Sequence, residues 1–201
     1  MTRRTVMPRF VAIIVLVGIG GCGTSPPAHY YTLSEPAAAT VAKTDSTIVV
    51  FGPFNVAAYL QRPQIVVRDA DQKLHLAEFD RWAEPPQVAL VPWLARDLDR
   101  QLSNAVVVAF PSVGHADAPF RLRGTIAQWD SDSAGTAVLV VQWECVTDQD
   151  ATLVPLKTSR YTAQAAKAGN YGDVVRALNQ TLADFANDVA AVLTTALPSR
   201  R

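Results

Sequence analysis

Two thiols, three imidazoles and the carboxylate pair Asp130 and Asp132 are the first side chains to weigh for covalent or metal chemistry. Cys22 stands directly after the small residues Gly20 and Gly21, at the foot of the apolar run FVAIIVLVGI (10–19). Cys145 lies in VLVVQWECV, where Leu139, Val141, Trp143 and Cys145 share one face of an alternating strand, so it reads as a small core residue and not as a nucleophile. His29, His75 and His115 are scattered and do not fall at a metal-ligand spacing. Asp130 and Asp132 in WDSDSAG resemble part of a calcium loop but lack its glycine and terminal glutamate, and they read as a hairpin turn. There is no Gly-x-Ser-x-Gly elbow, no His-Glu-x-x-His, no Cys-x-x-Cys and no phosphate loop. No catalytic residue, metal ligand or cofactor site is therefore expected, and the chain does not read as an enzyme.

The chemistry at Cys22 is explained by what precedes it. Arg3, Arg4 and Arg9 make a positive start, and no acidic residue occurs before Cys22. An apolar run of ten residues is about half of what a transmembrane helix needs, so it fits the core of an export signal. Ile19-Gly20-Gly21-Cys22 resembles the lipobox of bacterial lipoproteins, which implies cleavage before Cys22 and a thioether-linked lipid on its sulfur. Position 23 is Gly rather than Asp, which, by resemblance to the sorting rule of enterobacterial lipoproteins, implies the outer membrane over retention in the inner one. The chain then divides into a signal peptide at 1–21, a lipidated cysteine and tether at 22–46, and one domain at 47–201.

The chain balances 18 basic against 18 acidic residues, and loss of the three signal arginines leaves the mature form slightly acidic. No basic face for nucleic acid is expected. A hydrophobic content of 49% with 18% charged residues describes a folded domain rather than a disordered tether.

Behind the short tether GTSPPAH (23–29), YYTL at 30–33 is a small strand candidate, and 34–46 is loose. TIVVFGPFNV (47–56) is a strand broken by Gly52-Pro53, a bulge or edge position. PQIVVRD and KLHLAEFDRW form a hairpin around Asp69, Ala70 and Asp71. From Pro85 the period becomes helical, with Val91, Leu94, Leu98, Leu102 and Ala105 on one side and Arg96, Asp97, Asp99 and Arg100 on the other. Pro92 should kink this helix or postpone its start. AVVVAF (105–110) reads as a strand covered on both faces. Strands at 120–129, 136–146 and 153–163 are joined by turn-like segments into an antiparallel meander. Val174, Leu178, Leu182, Phe185, Val189, Val192 and Ala196 trace the apolar stripe of a helix over 173–196, opened by Asn170 or Asp173 and packed on the sheet of its own chain. The fold class is α/β: one domain with a mixed β-sheet and two long amphipathic helices packed on it.

YLQRPQIVVR (59–68) and EFDRWAEPP (78–86) mix Arg, Trp, Tyr and Pro, the residue types of binding hot spots. In a hairpin, Arg62 and Arg68 would approach Glu78, Asp80 and Glu84, either as an internal brace or as a docking surface. With YYTL, GPFNVAAYLQRPQIVVR and RWAEP behind a lipobox, nearly the whole mature chain resembles the auxiliary lipoproteins of ABC-type and MCE-type transport systems, the PqiC (YmbA) group. The matching positions are Tyr59, Leu60, Arg62, Pro63, Gln64, Ile65, Val66, Arg68, Arg81, Trp82, Ala83, Glu84 and Pro85. Gln61 stands where the family has aspartate, and Pro86 where it has an apolar residue. The resemblance implies a lipid-anchored protein on the periplasmic face of the outer membrane, working with an MCE-domain protein that carries lipid between membranes. Self-assembly or partner contact would run through Tyr59, Arg62, Pro63, Gln64, Arg68, Arg81, Trp82 and Glu84. A chaperone for another outer-membrane complex is the alternative function.

Overall fold

A computed structural model describes residues 26–34, 43, 46–115 and 117–198. The expected signal peptide at 1–21 and the expected lipidation site Cys22 lie outside the described residues. The fold is the expected α/β domain: one mixed eight-stranded sheet and two helices. In chain order these are β1 (His29–Tyr31), β2 (Thr47–Val56), β3 (Gln64–Arg68), β4 (Leu74–Trp82), α1 (Pro86–Gln101), β5 (Ala105–Ala109), β6 (Phe120–Asp132), β7 (Thr136–Thr147), β8 (Thr152–Gln164) and α2 (Tyr171–Ala196).

The trunk of the sheet is β6. Along one edge it takes β7, and β8 follows to complete the antiparallel meander. Its other edge is shared by two parallel strands: β2 pairs with its first part, up to Val56 opposite Ile126, and β3 with its end, Val67 opposite Ser131. β4 and then β1 extend the sheet beyond β3, and β5 lies outside β2. Between β2 and β3 the chain leaves the sheet in a short 3-10 turn, Ala58–Leu60.

Among the described residues β5 flanks β2 only as far as Phe51, so Gly52-Pro53 has an open edge on that side as well as a bulge on the other. The register against β6 shifts between Phe51 and Phe54, where Pro53 has no N–H to give the ladder. The shift stacks the Phe54 ring on Phe51, with centroids 4.6 Å apart, and brings it over Gly124. A Cβ on Gly124 would stand 2.1 Å from the Gln142 carbonyl oxygen and 2.9 Å from Phe54. Because the first of these is backbone, Gly124→Ala should force β6 and β7 apart and cost at least about 2 kcal/mol, a loss visible in the midpoint of a denaturant titration.

Three local expectations are corrected. β5 is an edge strand among the described residues; Ala105 and Val107 are buried while Val106, Val108 and Ala109 are half-buried, because helix covers only one face. Pro92 does not delay α1, which starts at Pro86, a position whose N–H needs no partner, and runs through Pro92 on its exposed side to Gln101. The apolar stripe of α1 ends at Leu102, Ala105 already belonging to β5, and Asp97 is buried, where Arg100 and Gln101 donate to its carboxylate.

α2 is capped by the Asn170 side chain, which accepts from Asp173 N at 3.1 Å. It packs on β6, β7 and β8, while α1 packs on β2, β5 and α2. The stripe thus serves the sheet of its own chain. Leu139, Val141, Trp143 and Cys145 are fully buried beneath it, and burial, then the Glu144 charge, pushes the Cys145 thiol up to about 12, keeping it neutral and unreactive.

Candidate functional site

The 3-10 turn between β2 and β3 places Tyr59 against the end of β6, and nine residues later Arg68 closes β3 beside the same strand. Both converge on Asp130. Tyr59 Oη donates to Asp130 Oδ2 at 2.8 Å and accepts from Trp129 N at 3.2 Å. Arg68 Nη2 donates to Oδ2 at 2.6 Å, and Gln128 Nε2 to Oδ1 at 2.7 Å. The Arg68 guanidinium also lies over the Tyr59 ring, 5.5 Å from its centroid. Asp130 is 1% exposed and Arg68 23%. Burial, with the Asp130 charge behind it, raises the Tyr59 hydroxyl well above its usual range, and the hydrogen bond to Asp130 raises Arg68, so neither titrates near neutral pH.

This brace replaces the expected pairing across the hairpin. Arg68 meets β6, not the acids of β4; Asp80 instead accepts from Tyr31 Oη at 2.8 Å and lies 3.2 Å from His29 Nδ1. Asp130, read from sequence as part of a turn, is an interior strand residue, and Asp132 alone caps the turn, accepting from Thr136 N at 2.8 Å. The missed signal is the alternation of AQWDSD: Gln128 and Asp130 share a face two residues apart, before the turn begins.

Beside the brace lies a cleft of about 270 Å³ where β1, the end of β4 and the first turns of α1 meet. Trp82 and Trp129 form its floor, stacked with centroids 4.9 Å apart, and Trp82 is only 5% exposed. Trp129 Nε1 donates to Leu178 O at 3.3 Å, tying the floor to α2. The β1 side is fixed by Ala83 N donating to Tyr31 O at 2.8 Å, Trp93 Nε1 to Ser34 O at 2.5 Å, and Ser34 N to Asn179 Oδ1 at 3.2 Å. Burial and Asp80 push Tyr31 up to about 12. Leu33, Leu90 and Val88 line the apolar wall, and Glu84 and Arg96 bring opposite charges to the lining.

Of the other residues singled out from sequence, Glu84 lines this cleft and the rest lie outside its lining. Pro63 is exposed, and its carbonyl accepts from Trp82 N at 2.6 Å, locking the 3-10 connection to the end of β4. Gln64 pairs with Arg81, whose Nε donates to Glu78 O at 3.0 Å. Arg62 is half-buried, with Nε shielded from water and making no hydrogen bond. Glu84 is exposed. The structure therefore divides the set: Tyr59 and Arg68 hold the sheet together, Trp82 floors the cleft, and Arg62, Pro63 and Glu84 remain reachable from solvent.

Nothing in this arrangement pairs a nucleophile with an oriented base. Ser112 Oγ and His115 Nδ1 stand 2.9 Å apart, but in a local turn where no carboxylate meets the imidazole among the described residues. No group of three metal-type ligands occurs among the described residues. The cleft combines an aromatic floor with an apolar wall, and Glu84 and Arg96 belong to its lining.

Residues 31–190 match the family model described as ABC-type transport auxiliary lipoprotein component. No curated protein matches the chain. Among solved structures, an uncharacterized protein is 22% identical, with a TM-score of 0.68 over 83% of this chain and 98% of its own. A Xanthomonas campestris protein of family DUF330 is 16% identical, with a TM-score of 0.67 over 84% of this chain and 96% of its own. These two likenesses bear on the fold.

Proposed function

This chain belongs to the ABC-type transport auxiliary lipoprotein component family, and from that premise we propose that it is held by a lipid on Cys22 at the periplasmic face of the outer membrane, where it docks an MCE-domain protein of a lipid-transport system. It works by binding and carries out no chemical step. The observation that carries this reading is the cleft over Trp82 and Trp129, whose walls are fixed by backbone hydrogen bonds to β1, the strand directly behind the tether. A pre-ordered aromatic pocket loses little entropy when a partner side chain enters it. No helix among the described residues is long and apolar enough to cross a membrane; the anchor in this proposal is the lipid on Cys22.

A diacylglyceryl group and an amide-linked chain bury many methylenes at ~0.8 kcal/mol each, far beyond the marginal hold of one acyl chain. Cys22→Ala should therefore leave the outer-membrane fraction, either uncleaved at the inner membrane or, with a replacement signal, free in the periplasm. Its continued fractionation with the outer membrane would remove the anchor. Docking is tested by photo-crosslinkers at Arg62 and Glu84 in cells, with mass spectrometry of what is caught. An MCE-domain protein supports the reading. Capture of another outer-membrane complex favours the envelope-assembly alternative, and capture of the chain itself shows that this region joins copies in a homo-oligomer.

A further inference from the structure

The direction of β1 sets the way the chain enters the sheet. β1 runs parallel to β4 and enters opposite Asp80, so the chain upstream of His29 points back along β4 toward Leu74 and the turn that precedes it. That end of the sheet gathers three connections. The β3–β4 turn lies beside the β6–β7 turn because Arg68 stands opposite Asp132. The segment after β8 joins them through Ala165 N, which donates to Gly135 O at 2.8 Å. From Asp80 to Leu74 the strand covers ~20 Å at ~3.3 Å per residue, whereas the chain from Cys22 to His29 reaches ~25 Å at most when fully extended. A lipid on Cys22 can clear this end of the domain by only about 5 Å.

We propose that this turn-bearing end, formed by residues 69–73, 133–135 and 165–170, rests on the phospholipid headgroup layer, and that the opposite end, with the β7–β8 turn, faces the periplasm. The inference rests on the lipid anchor at Cys22 proposed above. The surface chemistry fits a headgroup layer. Asp69, Asp71, Lys73, Asp132 and Lys167 mix both signs there, and a polar cleft of about 530 Å³ between the two turns is lined by Arg68, Arg160, Asp69 and Asp132. Among the described residues the exposed large hydrophobic side chains are Tyr30, Leu76, Val88, Phe110, Val113 and Leu156; none belongs to the three connections, so this end has charges for headgroups and no wedge for the acyl layer.

The test uses the full lipidated protein carrying Cys145→Ala, with one nitroxide label at Ser133→Cys, Gln149→Cys or Val88→Cys, on phosphatidylethanolamine and phosphatidylcholine vesicles containing a nickel-chelating headgroup lipid. The expected result is several-fold stronger spin relaxation at 133 than at 149 or 88. Strongest relaxation at 88 would mean that the α1 flank lies on the membrane. That result, strongest relaxation at 149, or equal relaxation at all three would each overturn the proposal. Flotation of each sample reports the anchor separately: protein that fails to float with the vesicles refutes the lipid on Cys22, and the orientation falls with it.

Discussion

Arg68→Ala should destabilise the domain by about 3 to 5 kcal/mol, because it leaves a carboxylate that is 1% exposed without its cation. The Tyr59 hydroxyl and the Gln128 amide still donate to Asp130, but neither carries charge. Asp130→Ala should cost less, about 2 to 4 kcal/mol, since Arg68 is 23% exposed and can recover some hydration once released. The paired replacement Arg68→Met with Asp130→Leu removes both charges and should regain most of the loss, because the pair costs desolvation as well as giving attraction. Equilibrium denaturation of the two alanine variants and the paired variant measures each quantity. An Arg68→Ala protein as stable as the parent, with partner capture lost, would instead make Arg68 a docking residue and take the brace out of the fold.

The brace also marks how much of the fold is legible in the sequence. α2 and β7 were readable because their apolar residues recur at 3.6 and 2 along the chain and each buries one continuous face. The sharing of the β6 edge by β2 and β3 was not, since it depends on parallel pairings across 64 to 71 residues that no local pattern records. The burial of Asp130 is hidden for a related reason. Seen alone, WDSDSAG has the composition of a turn, and only a strand continuing to Asp132 puts the first aspartate inside. Asp97 carries the same lesson: helical spacing alone placed it with the charged residues, while the position of the neighbouring elements buries it. At the candidate site, residue type identified where binding groups cluster but could not say which of them face inward. Tyr59 and Arg68 are consumed by the brace, and the aromatic partner of Trp82, Trp129, lies 47 residues away in another strand.

Trp82→Ala should cost about 3 to 5 kcal/mol, the loss expected when a large buried aromatic is truncated. The ring is 5% exposed and stacked on Trp129, a contact that contributes a further ~0.5 to 1.5 kcal/mol beyond area. Its removal also opens the floor of the cleft beside Tyr31 and Leu33, so β1 should loosen from the edge of β4, and amide exchange at Ala83, whose N–H is held by Tyr31 O, should accelerate in step. Trp82→Phe keeps part of the stack and should fall between. Arg62→Ala and Glu84→Ala should stay within about 1 kcal/mol of the parent, as one is half-buried with an unpartnered Nε and the other is exposed. The consequence for partner binding is a division of labour: any loss of capture in Arg62→Ala or Glu84→Ala at unchanged melting temperature reads as contact, whereas a loss in Trp82→Ala reads as collapse of the pocket. Should Trp82→Ala melt with the parent and yet fail to capture the partner, the indole would be a contact reached by the partner itself, and the cleft floor would have to be assigned to Trp129 alone.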